Sequence, residues 1–312
     1  DNLSGDLGLK IGIMTYDSQI HVFCPKKDDP EMEIIFDIDE PFVSSLNSFA
    51  VDPVEYKEAL IKLLKKIPQI FENNKTVDVM LGPVIAAASD AIVSLQACAK
   101  FFIFHGNLPT MDTQGKLVHK TERSQLGTED DKKILTPQTN FYSVLANKCV
   151  DNGIGIDLYL FPNGPVEVAS LSPLCSLTGG NLRLYKYFKA NSHGNTLSYD
   201  LQQNIRSEIG LDSMAKLRCS NGLSVKEFIG NFTVVNESEI LMSTIDENKS
   251  FCVEIKYDDK INGAVAYYQF ALLYTSPSGK RLIRVHNLAL NVIDNITDIF
   301  KFCDQDTISH YF

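Results

Sequence analysis

Apolar positions alternate between two periods along this chain, and the period changes near residue 210. Leu9–Tyr16, LKIGIMTY, reads as a buried strand, and Ile20–Phe23 is its hairpin mate across Asp17-Ser18. Met32–Ile38 is a third short strand. In Val54–Phe71, Leu60, Leu63, Leu64 and Ile67 recur at helical spacing behind the start signal Asp52-Pro53. Gly82–Cys98 is a second, alanine-rich helix. Strands at Lys100–Phe104 and Gly155–Phe161 then alternate with helices at Phe141–Val150, Val166–Leu177 and Asn195–Gly210. Helices alternating with nearly all-apolar strands predict a parallel sheet covered on both faces.

Beyond that point the strands follow one another directly. Met214–Cys219, Phe228–Val235, Phe251–Tyr257, Val265–Thr275 and Arg281–Leu290 are separated by turn signals, which predicts an antiparallel sandwich or barrel. The last two form a hairpin through Ser276-Pro277-Ser278-Gly279. Arg281–Leu290 is apolar on both faces, so the pattern predicts that both are covered. Arg284 and His286 would then lie among buried neighbours and need polar partners, structural or ligand. Val292–Phe302 starts a further helix without visible partners, as expected of a segment from a larger protein. The stretch Asn107–Pro137, with mixed charges, reads as a long solvated loop.

Composition narrows the function classes. The 312 residues are 44% hydrophobic and 22% charged, enough for two cores, with a formal charge of −10. That balance argues against general nucleic-acid binding. The acidity is uneven, since Ser213–Leu290 holds nine Lys/Arg against eight Asp/Glu, leaving room for a locally basic face. Seven cysteines, none within about twenty residues of another, read as reduced core residues of a cytosolic protein rather than as a zinc ribbon or a disulfide framework. In that setting the Asn-x-Ser/Thr matches carry no meaning. No apolar run reaches the roughly 18 residues of a membrane span, so any membrane contact is peripheral.

Signatures of common enzyme classes are missing: no G-x-S-x-G, His-Glu-x-x-His, Walker loop or Gly-x-Gly-x-x-Gly after a strand. The chain is read as non-enzymatic. Asp37 and Asp39 have the spacing of a carboxylate pair on one strand face, but before Pro41 they are read as turn residues. A metal-dependent adhesion site would need Asp-x-Ser-x-Ser after the first strand, which Thr15-Tyr16-Asp17-Ser18 does not match. Lys216 and Arg218 are two apart on a strand and project side by side, a geometry suited to a carboxylate or acidic peptide, or to a solvated face with surface ion pairs.

Six blocks, GIMTYDSQIHVF, DIDEPFV, NLPTMDTQGKL, GIDLYLF with VASLSPLCSLTGGN, LRCSNGLSVKEFIGNFTV, and ALLYTSPSGKRLIRVHNLAL, run in the order found in the cargo-adaptor subunit of the COPII inner coat. The chain resembles that family over nearly its whole length. The resemblance implies a von Willebrand A-like doubly wound α/β trunk over residues 1–212, lacking its opening strand, an antiparallel β-sandwich over 213–291, and the start of a helical domain over 292–312. It implies selection of cargo for vesicles travelling from endoplasmic reticulum to Golgi. Expected partners are the paralogous coat subunit, the cytosolic tails of cargo and SNARE proteins, and, peripherally, the ER membrane, with no nucleic acid. The expected location is cytoplasmic, on that membrane and on coated vesicles. The GTPase-activating paralogue is the alternative reading.

The family's zinc ribbon would lie upstream of Asp1, so no cofactor is expected in this chain. Its pocket for acidic export signals, where trunk and sandwich meet, corresponds here to Lys216, Arg218 and the apolar Leu273, with further basic positions upstream. Lys216 departs from the family's usual arginine and keeps the charge without the bidentate fork.

Overall fold

The computed structural model describes residues 8–26, 30–120, 127–129 and 131–311. The strands β1 (Ile13–Tyr16), β2 (Ile20–Cys24) and β3 (Glu31–Ile35) form an antiparallel meander in that order. All five residues of β2 are buried, and Ile20 and Val22 are fully so. After the short helix α1 (Leu46–Phe49) and the amphipathic α2 (Lys57–Ile70), the apolar α3 (Gly82–Ser94) packs Val84, Ala87 and Ala91 into the core with Ile20 and Val22.

The parallel part has three strands in chain order, β4 (Ala99–His105), β5 (Ile154–Leu160) and β6 (Leu182–Leu184). It is therefore shorter than the single parallel sheet suggested by the sequence, because the meander pairs separately. Among the described residues the two sheets adjoin at Tyr16, whose hydroxyl lies 3.0 Å from Nδ1 of His105. Every residue of β5 is buried, and α5 (Phe141–Asp151) and the helix pair α6 (Val168–Leu171) and α7 (Pro173–Thr178) share its core. Leu108 and Leu117, in the stretch expected to be a solvated loop, are buried in this core, and a single helical turn follows at Asp131–Ile134. Gly179 ends α7 in the left-handed conformation, φ 81°. Gly180 then passes so close to β5 that a Cβ would meet the Ile156 carbonyl oxygen at 1.8 Å.

One charge ties this half together. The Asp157 carboxylate has no solvent exposure, and it accepts from the Asn181 backbone N–H at 2.7 Å and from the Lys100 ammonium at 2.9 Å. It also accepts from the Asn204 side-chain amide, on the long helix over Ala190–Arg206, so β4, β5, the entry to β6 and that helix meet at one side chain.

The second half contains β7 (Ile209–Cys219), β8 (Leu223–Ile229), β9 (Thr233–Asn236), β10 (Glu239–Asp246), β11 (Cys252–Tyr257), β12 (Val265–Thr275) and β13 (Arg281–Asn291). Five strands pair antiparallel in the order β13-β12-β7-β10-β9, and β11-β8 forms the facing layer. Between the layers Ala215, Ile240 and Met242 pack on Val225 and Phe228, and Phe228, Phe232, Phe251 and Phe270 make successive ring contacts at 5.2–6.1 Å. β7 starts at Ile209 rather than Met214. The single strand expected over Phe228–Val235 is two, divided where Gly230 turns the chain at φ 158°.

β13 corrects a sequence expectation outright. All eleven of its residues are exposed, Arg284 and His286 included. Among the described residues it is the edge strand, paired only with β12, and it lies beyond the reach of the two-stranded facing layer, so apolar residues on both faces did not entail cover on either. The His286 ring stands 6.4 Å from Phe270. Past β13, Asn295 caps the helix Ile296–Phe302 by accepting from the Thr297 N–H at 3.0 Å.

The two halves touch through short polar links: Thr233 Oγ1 donates to the Leu177 carbonyl at 3.0 Å, and Lys249 Nζ donates to the Gly179 carbonyl. Replacing Asp157 with Asn leaves the buried Lys100 ammonium uncompensated, and the expected loss of stability is about 3 kcal/mol. A urea midpoint unchanged from the parent would contradict the role given to this carboxylate.

Candidate functional site

Strand pleat decides what β7 shows to solvent. Ala215 and Leu217 point toward the facing layer, and on the same side of the strand the buried Ser213 donates through Oγ to the Met242 carbonyl of the neighbouring β10 at 2.6 Å. Met214, Lys216 and Arg218 therefore share the outer face. The neighbouring strands complete that face by register. Lys216 lies opposite Glu239 of β10 and Ala271 of β12, Arg218 opposite Gln269, and Met214 opposite Leu273. On the edge strand, Ile283, Val285 and Asn287 follow opposite Leu273, Ala271 and Gln269. The three residues singled out from the sequence thus lie on one face, with Leu273 one register step from Lys216.

The two cations differ in their surroundings. Lys216 donates to Oε1 of Glu239, whose other oxygen accepts from the Asn236 side-chain amide at 2.6 Å. These two hydrogen bonds, helped by the nearby charge of Arg218, hold the Glu239 carboxyl below the usual carboxylate range. Arg218 donates instead to the neutral Gln269 Oε1 at 3.1 Å, and Gln269 Nε2 in turn donates to Asn287 Oδ1 at 3.1 Å. A concavity of about 420 Å³ at that end of the sheet draws on both pleats, Arg218, Tyr267, Gln269, Asn287 and Ala289 from one and Cys219, Tyr268 and Leu288 from the other. Within β7, Asp212 takes φ 46°, and Arg281 clamps it by donating to its carbonyl at 2.6 Å and its carboxylate at 2.7 Å.

Sequence reasoning found the basic pair and Leu273 but missed Glu239, Asn236, Gln269 and Asn287. Glu239 and Asn236 belong to strands not separately recognised, while the two amides join the face only through strand register. Asp37 is engaged locally, its carboxylate accepting from the N–H groups of Asp39 and Glu40 at 3.2 and 3.3 Å, as in an Asx turn. A larger hollow of about 780 Å³ lies in the trunk, but its acids are engaged within it, Asp78 by Thr110 at 2.8 Å and Asp112 by Lys116 at 3.2 Å. Among the described residues no group of three or more His, Cys, Asp and Glu side chains is placed to hold a metal ion.

Comparison with known proteins agrees with this architecture. Residues 1–205 match the Sec23/Sec24 trunk domain and residues 210–293 the Sec23/Sec24 beta-sandwich domain. Human protein transport protein Sec24C is 34% identical over 97% of this chain, human Sec24D 35% over 97%, and SEC24 A of Arabidopsis thaliana 27% over 99%. The chain spans 28% to 30% of the length of these relatives. The crystal structure of the human COPII-coat protein Sec24c superposes with a TM-score of 0.91 at 34% identity, over 97% of this chain and 40% of that one. A von Willebrand factor type A protein from Catenulispora acidiphila, 10% identical, aligns over all of this chain and 63% of its own with a TM-score of 0.56, a likeness of fold alone. The chain belongs to the Sec23/Sec24 family and is homologous to the trunk and β-sandwich of Sec24 proteins.

Proposed function

We propose that this chain is the signal-reading part of a COPII cargo adaptor, which concentrates cargo into vesicles leaving the endoplasmic reticulum for the Golgi. Its outer sandwich face binds acidic export signals on the cytosolic tails of cargo and SNARE proteins. The observation that carries this reading is the placement of Lys216 and Arg218 side by side on the exposed face, with Leu273 in adjacent register. Two cations beside an apolar residue suit a short peptide with a carboxylate and an aliphatic side chain. The relatives named above are Sec24 proteins, which favours the adaptor over its GTPase-activating paralogue. The partner in the coat is that paralogue, and zinc belongs to a ribbon upstream of this segment. No helix among the described residues is long and apolar enough to cross a membrane, and the proposed ER contact is peripheral.

Glu239 sets the strength of the site, since it already occupies the Lys216 end as an internal carboxylate. A ligand acid must displace it or bind beside it.

The double variant Lys216→Glu, Arg218→Glu is expected to weaken binding of a labelled acidic peptide by at least about thirtyfold, measured by fluorescence anisotropy, with an unchanged thermal midpoint. Unchanged affinity would refute the site. The substitution Glu239→Gln releases Lys216 and is expected to tighten the same peptide about three- to fivefold, whereas weaker binding would show that Glu239 supports the site rather than competing for it.

A further inference from the structure

The meander of the trunk has an open side. β3 pairs with β2 alone, and among the described residues no backbone hydrogen bond reaches its other edge. Ile35 anchors the strand in the core, whereas Met32 is exposed, as are the rings of Phe36 at 71% and Phe42 at 68% in the segment that follows. That segment is braced rather than loose. Glu33 accepts from the Ser44 N–H and hydroxyl at 3.2 and 2.7 Å and from the Ser45 hydroxyl at 2.6 Å, and Asp37 holds the turn that leads to Glu40. Asp39 and Glu40 are exposed, and neither carboxylate has a hydrogen-bond or ion-pair partner among the described residues. From Glu31 to Phe42 the chain carries five acids and no base. An unpaired strand edge, exposed apolar side chains and uncompensated negative charge therefore coincide on one rim of the trunk.

The backbone groups of an open edge are completed by another strand, so the occupant is an extended segment. Charge rules out a second copy of β3, because edge-to-edge pairing would set Glu31 and Glu33 of one copy beside those of the other. We propose that β3 is a docking edge for an extended segment of a partner protein in which arginine or lysine alternates with apolar residues. The pleat supports that pattern. Met32 and Phe36 share one side of the strand direction and Glu31 and Glu33 the other, so a paired segment lays apolar side chains beside the first two and cations beside the acids. Past the strand end, Asp39 and Glu40 offer unpaired carboxylates near two exposed rings, over which a guanidinium can stack. β13, the long open edge of the sandwich, carries Arg281 and Arg284 and no acid, and repels the same segment. The docking edge lies on the trunk and does not depend on the reading of the basic sandwich face.

The probe is a fluorescein-labelled peptide of about ten residues in which Arg and Val alternate, added to the 312-residue chain. A protein of charge −10 attracts any cation, so position decides the test rather than affinity alone. Asp39→Lys with Glu40→Lys is expected to weaken binding at least about tenfold by anisotropy, with an unchanged thermal midpoint. Glu237→Lys with Glu247→Lys makes the same change of charge at exposed positions of the sandwich, and is expected to weaken it less than about threefold. Exchanging the valines of the peptide for prolines keeps its charge but removes ladder donors, and is expected to cost at least about tenfold. Hydrogen exchange of the complex is expected to slow at the amides of β3 and not at those of β13. Equal losses in the two lysine pairs would show attraction by net charge alone and overturn the docking edge, as would protection at β13 or none at β3. Self-association of the Asp39→Lys, Glu40→Lys variant with peptide affinity unchanged would overturn it too, leaving the acids as guards of the edge.

Discussion

The alternation of side chains along β7 is the constraint from which the rest of the sandwich follows. Odd-numbered residues from Ser213 to Cys219 face the second layer, where Ala215 and Leu217 pack with Ile240, Met242, Phe270 and Leu272. Even-numbered residues face outward, and two of them are cations. A slip of one residue would carry Lys216 and Arg218 into an aromatic core, at a cost of several kcal/mol per uncompensated ion, and would expose the apolar set at the same time. The burial that holds the fold thereby also fixes the register of the basic face. Because β10 pairs with β7 as far as Lys216 and β12 as far as Cys219, Glu239, Gln269 and Leu273 acquire their places from the same constraint.

The trunk contributes position. Asp157 joins β4, β5 and the helix over Ala190–Arg206, and the chain leaves that helix directly into β7. Thr244, on β10, packs against Gly155 of β5, where a side chain on the glycine would collide with it. Lys249 reaches back to the Gly179 carbonyl, and its burial pulls the ammonium below the usual lysine range. The sandwich is thus seated on the trunk by close backbone approach and a few polar links.

Much of this was legible before any coordinates. The apolar run at β5, the hairpin of β12 and β13, and the i, i+2 basic pair follow from period and turn chemistry alone. β10 did not. Its sequence, EILMSTID, mixes apolar and small polar residues on both faces, because one side packs on the sandwich core and the other partly on the trunk, so no two-residue period stands out. Missing β10 meant missing Glu239, the residue that distinguishes Lys216 from Arg218. The opposite failure occurred at β13, where a strong apolar pattern implied cover that an edge position does not supply. Gln269 and Asn287 carry no chemical signal of their own. Their place beside Arg218 comes from the register of three strands, which a linear pattern does not encode.

The most direct test of the central claim, that the outer face of β7 and β12 receives an acidic peptide, is side-chain nitrogen NMR during titration with such a peptide. The account predicts that the Arg218 Nε–H and the NH2 resonances of Gln269 and Asn287 shift together and saturably, while the backbone amides of β8 and β11 stay in place. Saturable shifts centred on the trunk, with these three groups unmoved, would contradict it.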